Sequence, residues 1–218
     1  MGRKIISISI IASLTASFAF FIVPPRSAYA AIAFDAASSA AASTAASSLT
    51  FPHTVASGNS RLLIVGVTIA DTSNAVATVT YGGTSMISLG VASRGAGKPE
   101  VSLWYLVAPA TGANNVVVTL TSGQTDRMMA GAVSFTNVHQ STPVGTFFSA
   151  ASKASPATVG VTGTNLGDVV IDIIGNMDPA AGNTLAVGAN QTERWQGSTG
   201  SGSDQVLGGM STESSSGG

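Results

Sequence analysis

Cysteine is absent from all 218 residues. That excludes a disulfide framework, a thiolate metal site and a thiol nucleophile. Charge is scarce too, with nine Lys or Arg against ten Asp or Glu, so there is no basic patch of the kind that neutralises nucleic-acid phosphates. The two histidines, His53 and His139, exclude a three-histidine metal centre, and no His-Glu-x-x-His helix is present. Serine is plentiful, yet no Gly-x-Ser-x-Gly elbow sits between a strand and a helix. No long amphipathic helical pattern occurs anywhere. Gly95-Ala96-Gly97-Lys98 lacks the first glycine and the final Ser or Thr of a phosphate loop, so it reads as a turn.

What is present begins at the N-terminus. Gly2-Arg3-Lys4 places positive charge ahead of an uncharged stretch, Ile5 to Val23, and Pro24-Pro25 then breaks any helix. Ala28-Tyr29-Ala30 supplies the small-x-small pattern cut by a signal peptidase, with Ala28 and Ala30 as the cleavage-site residues. The stretch is long enough to serve as an uncleaved anchor at about 20 residues, but its serines and threonine, with the Pro-Pro break, favour cleavage. Ala31-Ile32-Ala33 offers a second small-x-small site, so the mature start lies near Ala31 or Phe34. The expectation is a secreted, extracellular protein with no membrane span after cleavage. Removing Arg3, Lys4 and Arg26 leaves six basic against ten acidic residues, a net charge of −4.

Beyond the signal, Gly, Ala, Ser, Thr and Val dominate, a palette for short strands and tight turns. Residues 31–48 form an Ala/Ser-rich lead-in; from 36 onward it has no apolar stripe and reads as a loop. From Leu49 onward, short apolar or alternating runs recur between turn clusters: Leu49–Val55, Arg61–Ile69, Ala75–Tyr81, Ser85–Val91, Glu100–Val107, Asn115–Thr121, Arg127–Phe135, Thr158–Thr162, Asp168–Ile174 and Gln191–Trp195. This spacing predicts an all-β protein, an antiparallel β-sandwich of jelly-roll-like type, over 49–212. Leu62-Leu63-Ile64-Val65 is apolar on both faces and is expected at the centre of a sheet. Tyr81-Gly82-Gly83-Thr84 predicts a hairpin. Gln205–Met210 reads as a last strand left unpaired, ahead of a flexible tail over 213–218, which suggests a piece lacking its final strands.

Several segments, taken in order, resemble a family of uncharacterised secreted bacterial modules with a β-sandwich fold. They are Phe34-Asp35-Ala36-Ala37-Ser38-Ser39, Leu49-Thr50-Phe51 with His53-Thr54-Val55, and Ser60 to Val67. Val79-Thr80-Tyr81-Gly82-Gly83, Leu103 to Pro109 with Thr111-Gly112, and Ala132 to Phe135 with Gln140 to Pro143 follow. Gln191-Thr192 with Arg194-Trp195 completes the series. The resemblance implies export, a sandwich fold and a further Trp-containing strand pair beyond this chain. It implies no activity and no catalytic residues.

The candidate ligand-binding residues are Trp104 and Trp195, whose rings would stack on a sugar if exposed and otherwise fill the core. Tyr105, on the face opposite Trp104, is expected in the core. Asn176, Asp178 and Asn183 offer oxygens to calcium, though turn formation is the default for such residues. Asp168 and Asp172 share a strand face about 13 Å apart, too far to hold one ion. The composite expectation is a non-catalytic extracellular module for surface association, adhesion or glycan binding. Its partners would be polysaccharide or other surface proteins, with no nucleic acid and no cofactor. Two alternatives stand beside it: a secreted carbohydrate-active enzyme or its accessory domain, and a structural subunit of a matrix or filament.

Overall fold

The computed structural model describes residues 30–153, 155–177, 184–200 and 205–217. Among them lie twelve strands and no helix: β1 Ala33–Ala46, β2 Ser48–Val55, β3 Leu62–Ile69, β4 Val76–Tyr81, β5 Thr84–Ser85, β6 Ile87–Ser93, β7 Glu100–Val107, β8 Gly112–Leu120, β9 Asp126–Thr136, β10 Val169–Met177, β11 Thr192–Ser198 and β12 Val206–Ser214. They form three antiparallel sheets: a five-stranded one in the order β1-β9-β3-β7-β6, a four-stranded one in the order β2-β8-β4-β5, and a three-stranded one in the order β10-β12-β11.

Side-chain parity shows how the sheets stack. Leu63, Val65, Val67 and Ile69 of β3 join one core with Phe51, Val79, Tyr81, Val116 and Val118 of the four-stranded sheet. The alternate residues Leu62 and Ile64 join a second core with Trp195 and Met210 of the three-stranded sheet. The five-stranded sheet is therefore the middle layer of three. All eight residues of β3 are buried, as expected of a strand apolar on both faces.

Close approach on the second face depends on missing side chains. A methyl on Gly131 of β9 would overlap the Trp195 indole, and one on Gly66 would lie 2.6 Å from both Ile173 Cδ1 and Met210 Cε. Each glycine is a pit that a large residue of the third sheet fills. Gly197 receives Met129 in the same way, from the opposite direction.

Local expectations are met in β2 and β8, where inward and outward residues alternate. Gly82 and Gly83 turn the β4–β5 hairpin with φ of 55° and 80°, the left-handed pair that a tight two-residue turn uses. Val169, Ile171 and Ile173 pack inward from β10, with Asp172 on the other face accepting from Ser211 N, Ser211 Oγ and Gln191 Nε2.

Four expectations are corrected. The loop over 36–48 is instead most of β1, paired with β9 from Ala33↔Thr136 to Ala46↔Asp126. Alanine's helix preference yields to the ladder, and Ala40, Ala42 and Ala46 bury their methyls against the first core. Thr158–Thr162 is not a strand: Val159 and Val161 are exposed, so the run gains no apolar burial that would hold it against a sheet. The last strand is not unpaired: β12 lies between β10 and β11 and bonds to both. The segment read as a tail enters that strand through Glu213 and Ser214, and Ser215 N donates to Asp168 O at 2.8 Å.

Substituting Gly131→Ala should cost about 1–3 kcal/mol through overpacking, and Trp195→Ala about 3–5 kcal/mol through the cavity left behind. Urea unfolding midpoints measure both. A neutral Gly131→Ala would contradict the glycine-pit account.

Candidate functional site

The two tryptophans do not form ring platforms. Trp104 is 8% exposed and Trp195 is 5% exposed. Trp104 faces the first core and its Nε1–H donates to Ser102 Oγ at 3.0 Å; Trp195 fills the pit over Gly131. Packing, the other role weighed for them, is where the structure places both. Tyr105, expected in the core, is only half-buried at its edge. Asn176 is exposed near the end of β10, while Asp178 and Asn183 fall outside the described residues. Ala28 also falls outside them; Ala30 is exposed beside Ser60, Asn137 and His139. Among the described residues no group of three acidic or histidine side chains is placed to hold a metal, and no helix is long and apolar enough to cross a membrane.

Two arrangements emerge that the sequence did not single out. The first is a hydrogen-bonded chain across three strands. His53 Nδ1 lies 2.9 Å from Ser38 Oγ, His53 Nε2 lies 3.2 Å from Ser134 Oγ, and Ser134 Oγ donates to Asp35 Oδ2 at 2.7 Å. Proton counting fixes the directions. An ionised carboxylate only accepts, so Ser134 spends its proton on Asp35 and must accept from Nε2–H. The neutral ring then carries its lone pair on Nδ1, and Ser38 donates to it. Asp35 Oδ2 also accepts from Ala56 N at 3.0 Å.

His53 is 2% exposed, with the Tyr81 ring edge-on to it at 6.3 Å between centroids. Burial pushes its pKa below the usual 6.5, against a weaker upward pull from Asp35. The ring does not border the cleft between β1 and the three-stranded sheet. The chain ties β1 and β9 of the middle sheet to β2 of the sheet above.

Asp35 reaches this position because β1 carries an extra residue between Phe34 and Ala36 relative to β9. Such a bulge re-aims the side chain of the added residue. Parity alone turns His53 inward, in line with Leu49, Phe51 and Val55. Asp35 and Ser38 carried no such signal, because β1 itself was not expected.

The second arrangement is a cleft of about 230 Å³ where the N-terminal end of β1 meets the three-stranded sheet. It is lined by Ile32, Phe34 and Phe135 on one side and by Asn190, Thr192, Arg194, Thr212, Glu213 and Ser214 on the other, with Val169. Here too a bulge acts: Arg194 is the unmatched residue of β11 between Glu193↔Ser211 and Trp195↔Met210. Its guanidinium lies over the Phe34 ring, 4.1 Å from the centroid, and Nε donates to Thr212 Oγ1 at 2.7 Å. Cation–π contacts of this kind contribute about 0.5–1 kcal/mol when exposed and more when desolvated.

Phe34 meets Phe135 edge-to-face at 6.3 Å and is still 43% exposed. Desolvation lowers the Arg194 pKa from its usual value. Phe34 and Arg194 are far apart in the sequence, and only the structure brings them together. Asn190 has φ of 66° at the turn before β11, which sets its side chain on the cleft wall. Comparison with known proteins adds no identity: no family model, no curated protein and no solved structure matches this chain.

The His53 chain carries a pH signature. Because the folded pKa is depressed, the unfolded state takes up the proton first, and stability falls as pH drops from about 6.5 through the lower folded value. Above pH 6.5 the contribution is complete. Urea midpoints should therefore fall between pH 7.5 and pH 5.0 in the wild-type protein. His53→Gln, less stable at pH 7.5, should show a smaller fall over the same interval; an equal fall would assign the effect to other groups.

Proposed function

We propose that this chain is an exported, non-catalytic β-sandwich module that associates with surfaces by holding a saccharide. The observation that supports this reading is the Phe34–Arg194 cleft. An exposed aromatic ring and a guanidinium fixed at its Nε meet there, with the polar residues Asn190, Thr192, Glu213 and Ser214 in the lining. Sugars present alternating apolar faces and hydroxyl rims, and a site with one ring and several donors and acceptors matches both. A volume near 230 Å³ is small beside the roughly 300–1,000 Å³ of drug-sized pockets, so it suits one sugar unit of a chain. As the accessory domain of a carbohydrate-active enzyme, the module would use this cleft in the same way.

Affinity electrophoresis of the full chain through gels holding a panel of polysaccharides tests this. Retardation by at least one polymer is expected, with Phe34→Ala weakening it severalfold at unchanged fold. Free migration through every gel would overturn the reading.

A second reading, a matrix or filament subunit, draws on the outer strand of the middle sheet. β1 pairs with β9 on one side and with no described strand on the other, and over Ala36–Ala42 it bears only Ala and Ser. Such an edge lacks the Lys and Pro that commonly block strand addition. Growth into polymers without retention by any saccharide would be its signature.

Export, a part of the proposal that rests on the N-terminal pattern, gains a sharper form. Ile32 packs against the second core, and Asn137 Nδ2 donates to Ala31 O at 3.0 Å. A mature chain starting at Ala31 keeps both contacts, whereas one starting at Phe34 loses both. Intact-mass measurement of the secreted protein should place its first residue at Ala31; a start at Phe34 would contradict this.

A further inference from the structure

The ligand class follows from the state of Arg194, and the argument rests on the saccharide-binding reading above. Among the described residues, the guanidinium has two partners, the Phe34 ring and the Thr212 hydroxyl, and no carboxylate within ion-pair distance. One of its five N–H donors is used. The side chain is half-buried, so part of its hydration is lost without a counter-charge in return. A partly desolvated cation left unpaired is unfavourable, and an arriving anion relieves it. The stacking on Phe34 and the bond at Nε hold the plane fixed, which suits the two-pronged pairing of arginine with a carboxylate.

The rest of the lining narrows the choice: Asn190, Thr192 and Ser214 bring an amide and two hydroxyl side chains to the same cleft. A compact inorganic anion would leave these groups unused. A carboxylated sugar has one acid for Arg194 and hydroxyls for Asn190, Thr192 and Ser214. We infer that the cleft takes the uronic-acid class of saccharide, with Arg194 binding the carboxylate.

The test compares free-acid polymers with their own methyl esters, which keep the sugar and mask the charge. Polygalacturonate, alginate and hyaluronan are each titrated in both forms into the full chain, and affinity is read by calorimetry at 50 mM and 500 mM salt. At least one free acid should bind, its ester at least tenfold more weakly, with the acid weakened at high salt. Arg194→Gln should lose tenfold or more for the acid form. Arg194→Lys, which keeps the charge but not the fork, should fall between, and melting curves of both variants check that each is folded.

Acid and ester bound equally, or neutral polymers alone bound, would overturn the ligand class and leave the saccharide reading standing. Wild-type affinity in a folded Arg194→Gln would overturn the assignment to this cleft. Failure to bind any saccharide, charged or neutral, would overturn both.

Discussion

The structure depends on one constraint: β3 and β9, inside the middle sheet, have no face left for water. Strand β3 is buried at every position, and β9 is buried from Met128 to Phe135. A sheet covered twice must meet a partner layer on each side, and the two sides are solved differently. On the first, Leu, Val, Phe and Tyr side chains from two sheets interdigitate. On the second, large residues of one layer enter positions where the other has only hydrogen. Trp195 over Gly131 is the deepest of these contacts. It lets a three-stranded sheet with few bulky residues of its own pack tightly.

That constraint also governs where polar groups sit. His53 is on the inward face of β2 by parity and has no route to solvent, so its two nitrogens must find partners within the layers. They find hydroxyls, Ser38 and Ser134, with Asp35 closing the chain at the rim. The same geometry that satisfies the ring pins the outer strand β1 to the layer above. A buried polar group thereby fixes the placement of a strand whose own side chains contribute little packing.

The all-β class, the antiparallel pairing, the central position of β3 and the hairpin at Gly82-Gly83 were all legible from period-two patterns and turn glycines; the stacking of three sheets was not. Those signals are local and survive in a single sequence. What was not legible depends on distant partners. Nothing in a run of Ala, Ser and Thr announces a strand until β9 supplies its ladder. The Gln205–Met210 run looked terminal because its two neighbours, β10 and β11, precede it in the chain. The cleft and the His53 chain were hidden for a different reason: Arg194 of the one and Asp35 of the other each stand at a bulge, and a bulge breaks the alternation from which side-chain direction is read. Parity would have sent both elsewhere.

The composition of β1 has a consequence for the order in which the chain folds. Asp35 and its partner Ser134 are 99 residues apart, so β1 is made long before the strand that completes it. An early strand with a free backbone edge is exposed to pairing with the wrong chain for as long as it waits. Sticky β-branched or aromatic residues would make that wait hazardous. Small side chains with little surface of their own leave β1 with slight affinity for anything until β9 arrives, and its weakness as a strand protects it while it is alone.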